Sequence, residues 1–358
     1  MNGHPVALRA VRSTRAAIAL LGLVTVVACG RDATGPADTV LPEGTVILGT
    51  FEPSTSQVQL SEALWRVDRD GLVRSHPGIN GARYSALVPS ADHRQFAYQA
   101  AGRLVLDDAN ATRRVLSEPP QGSAGSFSWS PDGRHIAFQR MRDGGGTDVS
   151  IVRVADGAMV TPSASIGGGC TNDPNSPRLF LTGWETPDQF AFYWSICLAP
   201  DRYYVATTAG DLEERPTRGP FRLVAPDRQR VLTLPSFVPT VANIDGSAPR
   251  VLANFVGWSE GARWSPSGRH VLVAEQMPGC VPLHLLAADG SGGYRIPDDP
   301  ACPVALSWSP SGEWIATTLR DSSTPVLRLY RNNGSEIREI PLALPPGHRI
   351  LTAAWITN

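Results

Sequence analysis

Phe127-Ser128-Trp129-Ser130-Pro131-Asp132-Gly133-Arg134-His135-Ile136-Ala137-Phe138 is the stretch that decides the fold. Ser-Pro-Asp-Gly is a turn: proline presets φ, the Asp or Ser side chain caps nearby backbone, and glycine accepts positive φ. An aromatic strand enters it, and an alternating strand with β-branched residues leaves it. The segment is a β-hairpin. It recurs as Arg263-Trp264-Ser265-Pro266-Ser267-Gly268-Arg269-His270-Val271-Leu272-Val273. A third copy is Ser307-Trp308-Ser309-Pro310-Ser311-Gly312-Glu313-Trp314-Ile315-Ala316-Thr317. Weaker copies turn at Pro89, Pro187 and Pro226, so the six prolines are spaced 42, 56, 39, 40 and 44 apart.

A second turn recurs out of phase with the first. Asp70-Gly71, Asp156-Gly157, Asp245-Gly246, Asp289-Gly290 and Asn333-Gly334 are spaced 86, 89, 44 and 44 apart. Asp-Gly and Asn-Gly suit two-residue hairpin turns. The two long gaps are twice the short ones, so each hides one degenerate copy and the count becomes seven. Each unit is then two hairpins, four strands in about 44 residues. One such sheet cannot cover both its faces, and stacking the units around an axis solves that. The sequence predicts an all-β, seven-bladed β-propeller over residues 45–358, with six blades as the alternative. The segment Leu351 to Asn358 reads as the first strand of a unit, and Thr45 to Phe51 as a second strand. The C-terminal strand is expected to complete blade 1 and remove the exposed sheet edges.

Trp-Ser-Pro-Asp-Gly-Arg-x-Ile-Ala-Phe resembles the repeat of TolB-type β-propellers, which also occurs in the propeller of prolyl oligopeptidases. The resemblance implies the fold and leaves function open, because such propellers serve many roles. TolB itself carries six blades behind an α/β domain; seven units and no such domain are read here.

Arg9, Arg12 and Arg15 precede the apolar run Ala16 to Ala28, which closes as Val26-Val27-Ala28-Cys29. A basic segment followed by a short apolar one is a secretory signal, and this run is shorter than the roughly twenty residues of a membrane span. The last four residues resemble a bacterial lipobox. That implies cleavage after residue 28, lipidation of Cys29 and anchoring to a membrane by several acyl chains. The alternative is an ordinary secretory signal with a chance cysteine. Residues 29–44 read as a polar, turn-rich tether. The expected location is the cell envelope, and the outer membrane in a Gram-negative host, because Gly30 rather than Asp follows the cysteine.

Losing three of the 32 basic residues leaves 29 against 33 acids. No basic excess remains to attract nucleic acid. Cys170, Cys197, Cys280 and Cys302 would meet an oxidising compartment. The repeat phase puts all four in loops on one rim and pairs Cys170 with Cys197 and Cys280 with Cys302. A four-thiol metal site is disfavoured because no Cys-x-x-Cys pair exists, and neither a metal nor another cofactor is expected.

Other candidate chemistry has structural explanations. Gly257-Trp258-Ser259-Glu260-Gly261 matches Gly-x-Ser-x-Gly but runs into a propeller repeat instead of a helix. His135 and His270 share a register occupied elsewhere by Gln95, Gln189, Arg230 and Trp314, which reads as variable packing between blades. His76, His93, His284 and His348 show no ligand spacing. Asp68-Arg69-Asp70-Gly71 reads as a turn in preference to a calcium loop. Trp129, Trp264 and Trp308 read as core anchors. The strongest functional expectation is the cysteine-bearing rim, where Ser163 to Arg178 is a long connection. Asn172, Asp173, Trp194, Tyr203 and Tyr204 would lie near it, with Asp298 and Asp299 across the rim. The expected function is a non-catalytic binding scaffold for an envelope protein or a small ligand. The alternative is a lyase or hydrolase acting on a glycan or peptide at the central channel.

Overall fold

The computed structural model describes residues 40–52, 61–79, 86–100, 103–117, 127–141, 147–165, 178–195, 202–216, 222–275, 282–296, 303–319 and 325–357. The chain divides after Gly35, and every described residue belongs to the second unit. Seven four-stranded antiparallel sheets make seven blades, so the count read from the hidden turns holds. Blade 3 shows the plan: Phe127–Trp129, His135–Met141, Thr147–Arg153 and Met159–Val160, each strand hydrogen-bonded to the next.

In blades 2 to 7 two hairpin turns leave from the same rim; in blade 1, whose first strand is the C-terminal one, a single turn does. In blade 3 the Gly133 amide donates to the Ser130 carbonyl at 2.9 Å, and Ser130 Oγ donates to Asp132 Oδ1 at 2.7 Å. Gly133 sits at φ 69°, the left-handed conformation the turn demands. One degenerate copy lies in each of the two long gaps. One is Asn110-Ala111, with Ala111 at φ 61°, and the other ends at Gly210, at φ 102°.

First strands meet one another around the axis and are the innermost strands. Indole N–H groups of Trp129, Trp184 and Trp264 donate to the carbonyls of Val88, Ser128 and Leu223 in the preceding blades, at 3.1, 3.1 and 2.8 Å. Two of the three residues read as core anchors, Trp129 and Trp264, are therefore also inter-blade clamps, and Trp184 is an added member; Trp308 is buried among residues of blades 6 and 7 without such a bond. The variable register packs as expected. His135 lies 6.2 Å from the Trp184 ring, and Arg230 lies over the Trp264 ring of the next blade.

The ring closes through the C-terminus. Arg349–Ile356 pairs antiparallel with Thr45–Glu52, from Thr45↔Ile356 to Phe51↔Arg349, and becomes the first strand of blade 1. Trp355 is fully buried, and its indole N–H donates to the Glu43 carbonyl at 2.8 Å. Its backbone amide donates to Ser307 Oγ of blade 7 at 2.8 Å. On the other side His93 Nδ1 donates to the Trp355 carbonyl at 2.7 Å, and the Thr357 amide donates to the His93 carbonyl at 2.6 Å. Gly44 is required here: at φ 58°, a Cβ would stand 2.2 Å from the Ile356 carbonyl oxygen. Packing also begins before Thr45. Leu41 is buried in the cluster shared by blades 7 and 1, so the stretch read as tether is folded at its last residues.

Full burial of His93 and partial burial of His135 and His270 lead us to expect an acid-sensitive fold. Desolvation lowers the pKa of His93, His135 and His270 below 6.5, against smaller opposing contributions from the Trp355 carbonyl, Asp132 and Asp289 respectively. As pH falls below 6.5 the unfolded chain takes up these protons first, so stability present above that pH is lost on acidification. Urea denaturation at pH 7.5 and pH 5 is expected to show the lower midpoint at pH 5. His135→Gln, the residue type that blade 2 carries in this register as Gln95, is expected to reduce the difference; an unchanged midpoint between the two pH values would contradict it.

Candidate functional site

The two rims differ in kind. Twelve hairpin turns on one rim each place a residue in the left-handed region: Gly71, His93, Ala111, Gly133, Gly157, Gly210, Arg228, Gly246, Gly268, Gly290, Gly312 and Gly334. Their Asx and Ser side chains cap the turns internally, as Asp70 does for Leu72 and Asp289 for Ser291. Asp68-Arg69-Asp70-Gly71 is one of them: the Gly71 amide donates to the Asp68 carbonyl, and Arg66 holds the Asp68 carboxylate at 2.7 Å. The opposite rim carries the connections from second to third strands and from one blade to the next.

Cys29, Cys170, Cys197, Cys280 and Cys302 lie outside the described residues, as do Asn172, Asp173, Asp298 and Asp299. Trp194, Tyr203 and Tyr204 are described, and their rings are core, not open rim surface. The reason is their place in internal strands, Gln189–Ser195 and Arg202–Thr207, whose two faces both meet neighbours. Trp194 and Tyr204 join the cluster between blades 3 and 4. Tyr203 points the other way, packs 5.0 Å from Tyr193 and donates its hydroxyl to Glu185 at 2.5 Å. Arg215 holds the same carboxylate at 2.8 Å.

Among the described residues, the loop rim exposes an apolar patch at blades 5 and 6. The connection Leu234–Pro239 turns through Ser236 at φ 50° and Phe237 at φ 64°. Two successive non-glycine residues in the left-handed region are strained, and strain of this kind clusters at binding and switch sites. Phe237 is left 62% exposed, and Val251 and Val256 are exposed too. They belong to one neighbourhood: the Leu252 amide donates to the Pro239 carbonyl at 2.9 Å, and Gly257 lies against Pro239 and Leu234. Phe255 stacks on His284 with centroids 4.2 Å apart, and His284 Nε2 donates to Glu275 Oε2 at 2.8 Å. No sequence pattern marked this patch. The only available signal was a Pro-Ser-Phe-Val-Pro connection that is apolar where polar residues are usual.

A separate polar cluster is buried between blades 1 and 2. Asp107 accepts from Arg113 Nη2 at 2.7 Å and Nε at 3.0 Å and from the Tyr98 hydroxyl at 3.3 Å, with His76 Nε2 at 3.5 Å. Burial opposes its charge, but His76 and Arg113 outweigh that and hold its carboxyl below the ordinary range. Arg113 also reaches the Gly78 carbonyl at 3.1 Å and that of Pro77. With every partner on the chain itself, this cluster fastens two blades together.

The Gly-x-Ser-x-Gly segment lies inside the innermost strand Gly257–Trp264 and forms no strand-to-helix elbow. Among the described residues no group of three His, Cys, Asp or Glu side chains could hold a metal ion. No helix among them is long and apolar enough to cross a membrane.

No family model matches the chain, and no curated protein matches it. Solved structures do. TolB from Acinetobacter baumannii is 13% identical, with 88% of this chain and 67% of that one covered at a TM-score of 0.51. A candidate 6-phosphogluconolactonase from Bacteroides uniformis is 12% identical, covering 87% and 100% at 0.55. The β-propeller domain of Cps50 (Swd1) from Myceliophteria thermophila is 14% identical, covering 78% and 99% at 0.52. At these identities the likeness is one of fold, and the fold is a TolB-like β-propeller.

Proposed function

We propose that this chain is an exported lipoprotein of the cell envelope whose propeller is a non-catalytic scaffold, binding an envelope protein or small ligand through its loop rim. In this reading residues 1–28 are removed, lipidated Cys29 anchors the chain, and the host's outer membrane is its site if the host is Gram-negative. The observation that carries the binding role is Phe237, held exposed on a strained connection at the loop rim. The described chain enters the propeller at a defined place. Leu41 donates its amide to the Arg69 carbonyl, and Glu43 accepts from the Ser311 amide at 3.2 Å. Both partners belong to tight turns, so the chain enters the propeller on the rim opposite Phe237. TolB-like propellers also supply a rigid frame suited to holding such loops.

Cys29→Ser is expected to move the protein from the membrane to the soluble envelope fraction; unchanged membrane retention would contradict anchoring. Phe237→Asp is expected to weaken capture of the binding partner from envelope extract by at least about tenfold, the scale of an interface hot spot, while the unfolding midpoint stays within experimental scatter. Equal capture by the variant would count against the rim patch.

A further inference from the structure

Blade 1 differs from the other six at one place. Its first strand, Arg349–Ile356, is the C-terminal one and its second is Thr45–Glu52, so no inner hairpin turn joins them. The restraint that chain continuity supplies elsewhere comes here from the inner turn of blade 2. Ser90-Ala91-Asp92-His93 occupies the place of Ser130-Pro131-Asp132-Gly133, Ser265-Pro266-Ser267-Gly268 and Ser309-Pro310-Ser311-Gly312. The last residue of each is left-handed, at φ 55°, 69°, 66° and 72° respectively. Three blades fill this position with glycine. Blade 2 fills it with histidine, in a conformation that side chains disfavour. Such strain persists only where the surroundings hold it, and it clusters at switch regions.

The end of the chain holds it. A carbonyl can only accept, so His93 Nδ1 carries the proton and donates to the Trp355 oxygen at 2.7 Å. The His93 carbonyl accepts from the Thr357 amide at 2.6 Å and from Thr357 Oγ1 at 3.1 Å. One residue thus bonds the terminal segment three times, and its side chain is buried there. In blade 5 the left-handed residue of this turn is Arg228, which is exposed. The buried side chain belongs to the seam that lacks a turn.

Protonation works against this arrangement. Desolvation lowers the pKa of the imidazole, against smaller opposing contributions from the Trp355 carbonyl, Glu43 and Asp92. Among the described residues those two carboxylates, with Arg94 4.0 Å from Asp92, are the charged groups around it; Trp355 to Thr357 bring none. Released from the strand, His93 is hydrated and returns toward its ordinary 6.5. The released form therefore takes up its proton first as pH falls below 6.5, so acid favours release.

We propose that His93 is an acid-released latch: closed at neutral pH, it lets Arg349–Ile356 detach in mild acid and opens the ring at blade 1 while blade 2 stays folded. Release uncovers the edge of Thr45–Glu52, whose backbone groups are then open to another strand. The latch is independent of the rim patch at Phe237 and of membrane anchoring.

The test is amide hydrogen exchange of the full chain at pH 7.5 and pH 5.5, expressed as protection factors relative to Phe96 to Tyr98 in blade 2. At pH 7.5 the parent's terminal strand should match blade 2. At pH 5.5 its relative protection should fall at least about fivefold, the scale of one hydrogen bond. His93→Asn keeps a donor at the Nδ1 position and tolerates the left-handed conformation, but does not titrate; its strand should match blade 2 at both pH values. His93→Gly installs the residue of blades 3, 6 and 7, relieving the strain and removing the donor. Its strand should lose at least about fivefold in relative protection already at pH 7.5. If the glycine variant does not fold, the parent and the asparagine variant decide. A parent strand level with blade 2 at pH 5.5, an acid-dependent loss that persists in His93→Asn, or a folded glycine variant protected like the parent at pH 7.5 would each overturn the latch.

Discussion

Trp355→Ala is expected to lower the unfolding free energy by about 3–5 kcal/mol, the range for emptying a fully buried aromatic position. The side chain is wholly inaccessible and packs among Leu48, Trp314 and Leu329 in the cluster that joins blade 7 to blade 1. Substitution also strips the Glu43 carbonyl of its indole donor. Only three residues follow it in the sequence, where terminal residues usually fray and tolerate change. A large effect therefore depends on closure of the ring. In an open stack the same residue would lie on an exposed edge, and its loss would cost less than about 1 kcal/mol. Chemical denaturation of the two proteins distinguishes these cases.

Asp107→Ala is expected to cost a similar amount, about 3–5 kcal/mol, because it breaks a buried ionic cluster from one side. The carboxylate is fully buried, His76 is nearly so, and Arg113 is about three-quarters covered. Alanine leaves the guanidinium and imidazole in a poorly solvated seam without the carboxylate that compensated them, and removes an acceptor from Tyr98. Replacing the whole cluster with apolar residues would cost far less, since a buried pair is weak evidence of net stabilisation. Denaturation at pH 7.5 provides the readout, and a change below about 1 kcal/mol would show the cluster to be solvated.

The fold was legible because its turns are chemically demanding. Left-handed residues and side-chain caps leave a sequence trace at fixed spacing. The trace fades where another residue supplies the same bond. At Asn110-Ala111 no glycine remains, but Asp108 Oδ1 accepts from the amides of Asn110 and Thr112 and holds the turn. At Gly210 the cap has moved to Thr207, whose hydroxyl accepts from the Asp211 amide at 3.0 Å. Only the doubled spacing betrayed these two.

The candidate site was less legible, for physical reasons. Tyr203 and Tyr204 look like surface aromatics next to a long connection, yet adjacent residues of an internal strand face opposite blades and both are covered. Phe237 lies in a connection whose conformation no local pattern encodes. His284 has no ligand spacing because its partners, Glu275 and Phe255, come from a neighbouring strand and a preceding connection.

Amide hydrogen exchange across Arg349–Ile356 tests the closed ring most directly. If the terminal strand is the first strand of blade 1, amides of Ala353 to Trp355 exchange only through global unfolding, as slowly as those of Phe96 to Tyr98 in blade 2. Rapid exchange of these amides while blade 2 stays protected would contradict closure, and with it the seven-bladed wheel.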